Sequence, residues 1–193
     1  MANVRGDSTP VPKIRRIAVC DLDGTLVDSD VALADAFLAL GVQRSEITYG
    51  HVLADECLRL GISVGEYLNV YDPSKIVPFP GVTELVTHFD RWAICSNKHP
   101  VSGAAELARF GWSPEVALFA DSFNGPKRLE PVLGALGLSS SDVVFLGDTA
   151  HDRQCAESAG VTFALAGWNP RAQAKPNDVV LSHPIELLEL LTG

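Results

Sequence analysis

Two carboxylates two positions apart follow a short apolar run directly: Asp21-Leu22-Asp23-Gly24-Thr25 comes after Ile17-Ala18-Val19-Cys20. One carboxylate of such a pair can attack phosphorus while also ligating a cation. The other can carry a proton to or from the leaving group. Gly24, with no Cβ, lets the backbone approach an anion closely. A second acidic motif, Gly147-Asp148-Thr149-Ala150-His151-Asp152, follows another apolar run at 143–146. Alone, Asp148 reads as a helix N-cap. Paired with Asp21 it offers a hard oxygen site suited to Mg²⁺, with room left for water and phosphate. Asp152 lies one helical turn beyond Asp148.

Two more positions belong to the same chemistry. Ser96-Asn97 follows the apolar run 92–95, and a hydroxyl with backbone N–H groups at a helix start suits a phosphate. A simple cap is the ordinary reading of Ser96 taken alone. Lys127 stands at the entrance to a helix expected over 128–136, where an ammonium can neutralise phosphate and nucleophile together. Arg128 is its immediate rival for that role.

The elements that must position these groups alternate along the chain. Short apolar runs at 14–21, 92–96, 117–121, 143–147, 161–166 and 179–181 do not alternate in polarity, so both faces should be covered, as in a parallel sheet. Amphipathic stretches at 81–89, 100–110, 128–136, 151–159 and 184–191 are long enough for crossover helices. Gly111, Gly137 and Gly160 lie just past three of them, at the usual C-terminal stop. This alternation implies an α/β fold: a Rossmann-like open parallel sheet with helices on both faces. In such sheets ligands bind outside the carboxyl ends of the strands, where Asp21, Ser96 and Asp148 all fall.

One segment breaks the pattern. Residues 29–77 hold no convincing strand and read as helices over 31–40, 46–60 and 64–70, separated by Gly41 and Gly61; Pro73, Pro78 and Pro80 mark the return. The expected organisation is a flexible leader at 1–13, a core domain at 14–28 and 78–193, and a small α-helical cap at 29–77. The leader is polar and lacks the apolar stretch of a secretory signal, and no apolar run is long enough to span a bilayer.

Net charge is −9, from 15 Lys and Arg against 24 Asp and Glu. That balance argues against general nucleic-acid binding. It leaves a phosphorylated substrate open, since a metal ion and a few placed cations make a local anion site. The four cysteines form no C-x-x-C pair, so a structural zinc site is not expected. Cys20 and Cys95 sit in strand-like runs and read as small buried hydrophobes of a reducing, cytoplasmic setting.

In this order the four motifs resemble the haloacid dehalogenase-like hydrolase superfamily, across nearly the whole sheet domain. Asp21-Leu22-Asp23-Gly24-Thr25-Leu26-Val27-Asp28-Ser29 is similar to the first motif of its phosphoglycolate phosphatase-like branch. Cys95-Ser96-Asn97-Lys98 resembles the second motif, Lys127 takes the third-motif position, and Gly147 to Asp152 resembles the fourth. The resemblance implies Asp21 as phosphoryl acceptor, Asp23 as general acid and base, and Ser96 as the phosphate-binding hydroxyl. It also implies Asp148 as metal ligand with the backbone carbonyl of Asp23, and Asp152 supporting the metal site or Lys127. Two departures stand out. Arg128 occupies the place where that branch usually has proline, and the cap is short.

The expected function is therefore a Mg²⁺-dependent phosphatase acting through an aspartyl-phosphate. Asp21, Asp23 and Lys127 would be catalytic. Gly24, Thr25, Ser96, Asn97 and Lys127 would bind phosphate, and Asp21, Asp23 and Asp148 would hold the metal. The expected partner is a small phosphorylated metabolite, with neither nucleic acid nor membrane; a homodimer is one assembly open to it. Rival functions are a sugar-phosphate mutase, a phosphoprotein or other macromolecular phosphatase, and a non-catalytic phosphate-binding regulator. A dehalogenase does not need Asp23, and a phosphonate hydrolase would need a cap lysine where only Lys75, at the edge, is found. His51, Asp55, Glu56 and Arg59 are expected on one cap helix, with Tyr67 and Tyr71 on the next, and some of them could contact the leaving group.

Overall fold

Every strand of the main sheet is short, apolar and parallel to its neighbours. The computed structural model describes residues 16–192; the expected leader and the first residues of the first expected strand lie outside them. The sheet strands are β1 (Ile17–Cys20), β4 (Trp92–Cys95), β5 (Val116–Leu118), β6 (Val143–Gly147), β7 (Thr162–Ala166) and β8 (Val179–Leu181), in the order β5-β4-β1-β6-β7-β8. Two-residue strands β2 (Val27–Asp28) and β3 (Val77–Pro78) pair antiparallel outside it.

Side chains alternate between the two faces of the sheet, and each face has its own core. Ala18, Cys20, Ile94 and Leu146 face one cluster, which takes in Leu85 of α4 (Val82–Thr87), Leu107 of α5 (Pro100–Phe110) and Leu187 of α8 (Leu187–Thr192). Val19, Ala93, Cys95 and Phe145 face the other, with Val132 of α6 (Glu130–Leu136) and Ala156 of α7 (Ala150–Ala159). Helices thus cover both faces, which is why the strands read as unbroken apolar runs.

From β1 the sheet grows through β4 to β5 on one side, and through β6 to β8 on the other. The point where the direction of growth divides lies between β1 and β6, paired in the register Cys20↔Leu146. A crevice opens at the carboxyl ends of strands at such a point. The residues that follow these two strand ends are Asp21 and Asp148.

Between β2 and β3 lie α1 (Asp30–Ala39), α2 (Leu53–Leu60) and α3 (Val64–Val70), which pack around a separate cluster of Phe37, Ile47, Cys57 and Tyr67. The helix expected over 46–60 is not continuous. A short 3₁₀ turn at Arg44–Glu46 is followed by a loop, and α2 starts only at Leu53. The cause is Gly50, at φ +81 with its Cα against the Thr149 side chain: an added Cβ would lie 3.1 Å from Thr149 Cγ2. The backbone turns there in a conformation that suits glycine. His51 therefore sits in a loop beside the sheet domain, not on a helix with Asp55, Glu56 and Arg59. The strand expected over 117–121 also ends early, at Leu118, and Ala120–Ser122 forms a 3₁₀ turn. Among the described residues, no helix is long and apolar enough to cross a membrane.

Candidate active site

Asp21 and Asp148 face each other across the crevice because parallel pairing fixes their strands in register. The Asp21 amide donates to the Leu146 carbonyl at 2.9 Å, extending the ladder to the residue that carries the carboxylate. Asp21, Asp148 and Asp152 are all buried, and one oxygen from each lies within 4.8 Å of the others. Lys127 enters between them, its Nζ 2.8 Å from Asp21 Oδ1 and 2.6 Å from Asp152 Oδ1. Those two oxygens have no partner along a hydrogen-bond direction, although the ammonium is at ion-pair distance.

This crowding sets the electrostatics. Burial raises the Asp21 carboxyl to about 6; Lys127 pulls it back and Asp152 adds to the rise. Burial, then repulsion from Asp152 and Asp21, pushes Asp148 up to about 8. Burial opposes the charge on Lys127, but Asp152 and Asp21 outweigh it and the ammonium is held charged. When all three carboxylates are ionised, one ammonium leaves two negative charges uncompensated, which is the charge of one divalent cation. An unbalanced cluster of buried carboxylate oxygens fits a hard metal ion.

The surrounding residues hold the carboxylates rigidly. Asp148 accepts from Thr25 Oγ1 (3.0 Å) on one oxygen and from Asn169 Nδ2 (2.8 Å) on the other. Gly24, at φ +77, lets Asp148 come close: an added Cβ would lie 2.4 Å from its Oδ2. Asp152 accepts from the amides of Asp148 and Thr149 at the start of α7. Lys127 and Arg128, next-door rivals in the sequence, are sharply separated. Lys127 is buried in the cluster, whereas Arg128 is exposed. The helix that follows begins at Glu130, not at 128.

The expected phosphate-binding residues divide into two groups. Ser96 is buried at the cleft with Asn97, and both line it. Ser96 is not a helix cap, since α5 begins at Pro100 with His99 before it. The structure does not bring the donors of Gly24 and Thr25 to the cleft. The Gly24 amide donates to the Val27 carbonyl, and the Thr25 hydroxyl is taken by Asp148. Asn97 ties elements together: its Oδ1 accepts from the Lys127 amide (2.8 Å) and its Nδ2 donates to the Gly50 carbonyl (3.3 Å).

The chain's placement among known proteins follows from the same residues. A model of the haloacid dehalogenase-like hydrolase family matches residues 18–166, which include Asp21, Asp23, Ser96, Lys127, Asp148 and Asp152. The chain belongs to that family. A phosphoglycolate phosphatase of Mesorhizobium japonicum is 28% identical, with 92% of this chain and 96% of that protein covered. An N-acetylmuramic acid 6-phosphate phosphatase of Pseudomonas aeruginosa is 26% identical, over 89% and 92%. The structure of a haloacid dehalogenase-like hydrolase of Streptococcus pneumoniae superposes with a TM-score of 0.71 at 20% identity, covering 91% and 98%, and shows the shared fold.

Several residues of this hydrolase's cleft carried no assigned role at the sequence level. Lys98 is buried, with its Nζ 2.7 Å from Asp23 Oδ1 and 2.9 Å from Glu106 Oε1. Its only sequence signal is its place beside Ser96-Asn97. Asn169 and Arg171 come from the loop after β7, which has no motif. Arg171 pairs with Asp30 and stacks on Tyr49 at 4.0 Å, joining that loop to the helical segment. Tyr67 and Tyr71 both line the cleft with Leu33, Phe37 and His51. Asp55 is exposed and plays no part in the cleft.

Glu56 is buried and fixes the loop that holds Gly50 and His51. It accepts from the Thr48 amide (3.0 Å) and hydroxyl (2.8 Å) and from Arg59 Nε (2.9 Å). Burial works to raise its carboxyl, but the hydrogen bonds from Arg59 and Thr48 prevail and lower it from 4.5 to about 2. A lowered folded-state pKa stabilises above the unfolded value, and that stability fades as pH falls through the folded one. Glu56→Gln is therefore expected to cost about 1–2 kcal/mol at pH 7, the scale of a charge-assisted hydrogen bond. The gap should narrow as pH drops from 4.5 toward about 2. Urea denaturation of both proteins at several pH values measures it; a gap that is constant or widens in acid contradicts the assignment.

Proposed function

We propose that this hydrolase cleaves small phosphate monoesters by way of an aspartyl-phosphate on Asp21. The observation that carries this reading is Asp21 itself: a buried carboxylate at a strand end, flanked by Lys127 on one side and Asp148 on the other. An Oδ atom of Asp21 attacks phosphorus, and the bond from phosphorus to the ester oxygen breaks. That oxygen takes the carboxyl proton of Asp23. Asp23, now a carboxylate, removes a proton from water, whose oxygen attacks the phosphorus of the acyl-phosphate. Inorganic phosphate leaves and Asp21 is restored. Lys127 neutralises charge on the phosphoryl oxygens and on Asp21, and Ser96 donates its hydroxyl to the phosphoryl group.

Asp21 and Asp148 would hold Mg²⁺ by their carboxylates, with the backbone carbonyl of Asp23 as a further ligand, and Asp152 would support Lys127. When bound, the metal supplies positive charge to the phosphoryl oxygens. Ca²⁺ is larger and takes more ligands, so it would draw both oxygens of Asp21 into coordination. Activity should require Mg²⁺, vanish in chelator and be inhibited by Ca²⁺. Full turnover in chelator by metal-free protein overturns the metal assignment.

A small substrate is favoured over a macromolecule. Contacts from Asn97, Lys98 and Arg171 hold the helical segment over the cleft. The space inside is about 70 Å³, far less than a folded macromolecular segment would need. The curated relatives act on different phosphorylated compounds by name, so they do not fix the leaving group. A panel of phosphate esters assayed with Mg²⁺ tests the reading. Turnover of phosphopeptides with no small ester hydrolysed would overturn it.

A further inference from the structure

Lys98 is a buried lysine at the active site that the proposed chemistry does not use. It projects from the segment between β4 and α5, and only 6% of its side chain is exposed. Its ammonium meets three groups from three parts of the chain. These are Asp23 Oδ1 after β1 (2.7 Å), Glu106 Oε1 on α5 (2.9 Å) and the Tyr71 hydroxyl just past α3 (3.1 Å). Tyr71 in turn donates to Glu106 Oε1 at 3.2 Å. The ammonium donates hydrogen bonds to Asp23 and Tyr71 and is ion-paired with Glu106, so its charge is directed at groups of the protein. Lys98 therefore differs from Lys127, which stands among the phosphate-facing groups.

The arrangement points at one partner. Glu106 is fully buried, and its Oε1 anchors Lys98 from behind. Tyr71 is fixed by stacking on Tyr67 at 5.4 Å, and Tyr67 packs on Phe37 at 4.7 Å. With two sides fixed, the ammonium donates to Asp23, a partly exposed side chain in the cleft. Holding Oδ1 leaves Oδ2 of Asp23 as the oxygen free to face a leaving group.

We propose that Lys98 is a positioning residue for Asp23, and that Glu106 and Tyr71 hold Lys98 in place. The proposal rests on the assignment of Asp23 as the group that protonates the leaving oxygen. Its consequence is specific. In the first step, transfer of the phosphoryl group to Asp21, an ester whose leaving group departs without a proton needs Asp23 little, and so needs Lys98 little. An ester with a basic leaving group needs both.

Phenyl phosphate and p-nitrophenyl phosphate differ little in shape, but phenol is a far weaker acid than p-nitrophenol. Steady-state kinetics with Mg²⁺ on the full chain compare both esters across the wild type, Lys98→Met, Asp23→Asn and Asp21→Asn. Lys98→Met is expected to lower kcat/KM, which reports the steps up to release of the phenol and leaves out the acyl-phosphate hydrolysis common to both esters, by about 100-fold for phenyl phosphate, at the lower end of general acid catalysis, and by less than about tenfold for p-nitrophenyl phosphate. Asp23→Asn should show the same split, and adding it to Lys98→Met should cost little more, since the two act as a unit. Lys98→Met strands Glu106 without its counter-ion, so the double variant Lys98→Met/Glu106→Gln is measured alongside and read in the same way if the single variant does not fold. Equal losses of kcat/KM on both esters, or no loss on either, overturn the proposal. If Asp23→Asn splits the esters and the Lys98 variants do not, Lys98 has no positioning role while the phosphatase reading stands. If Asp21→Asn still turns over, the aspartyl-phosphate reading itself has failed.

Discussion

Replacing Asp21 by asparagine is expected to cut phosphate ester hydrolysis by at least about 10⁴-fold, the scale seen on removing a covalent nucleophile. An amide is a poor nucleophile, and the neighbouring geometry offers no substitute. Asp148 is held on both oxygens, by Thr25 and Asn169, and Asp152 is bound by the amides that open its helix. The fold should survive, because asparagine has nearly the same shape and relieves repulsion among three buried carboxylates. Circular dichroism and thermal unfolding verify the fold, and kcat with p-nitrophenyl phosphate and Mg²⁺ gives the result. Hydrolysis within tenfold of wild type by a folded variant sinks the nucleophile assignment.

The second large effect separates two adjacent cations. Lys127→Ala is expected to lower kcat by at least about 100-fold, the loss typical of removing one preorganised charge-stabilising donor. Arg128→Ala should stay within about threefold, since an exposed side chain with no salt-bridge partner among the described residues contributes little. The basis is position: Lys127 Nζ lies within 3 Å of both Asp21 and Asp152, and Arg128 is exposed. The reverse ranking would mean that the cleft is built on the other side chain. Lys127→Ala should also unsettle the acidic cluster, so its stability in chelator is expected to fall relative to Arg128→Ala.

The acidic residues were legible in the sequence for a physical reason. Strand residues covered on both faces are apolar, so a carboxylate directly after such a run marks the point where the chain leaves the core. Asp21 and Asp148 stood out in that way, and the parallel α/β architecture followed from the same runs. Lys127 and Arg128 were not separable by pattern, because burial of one side chain over its neighbour is decided by packing against β6 and α7. The role of Lys98 was beyond reach for the same reason. Its partners Asp23, Glu106 and Tyr71 are brought together only when three distant segments pack. Asn169 and Arg171 lie in a loop whose local sequence says nothing of Asp148 or Asp30.

Boundaries failed where one residue overrode periodicity. The apolar spacing of 46–60 suits a helix, but Gly50 takes a left-handed conformation against Thr149 and breaks it. Pro131 marks the first turn of α6 and was the available sign that this helix begins at Glu130. Gly24 and Thr25 look like phosphate ligands by type, yet their donors close the turn and hold Asp148. Donor capacity read from a sequence does not show which groups folding has already engaged.

The central claim is a covalent bond between Asp21 and phosphorus. The most direct test quenches the enzyme during steady turnover of a good ester and reduces the denatured protein with borohydride. An acyl-phosphate on Asp21 is converted to homoserine, which peptide mass spectrometry places by residue. The prediction is homoserine at position 21 and at no other carboxylate, dependent on substrate and absent from Asp21→Asn. Unmodified Asp21 in an enzyme shown to be turning over and to retain the acyl-phosphate after quench, or homoserine at Asp148 or Asp23 instead, contradicts the account.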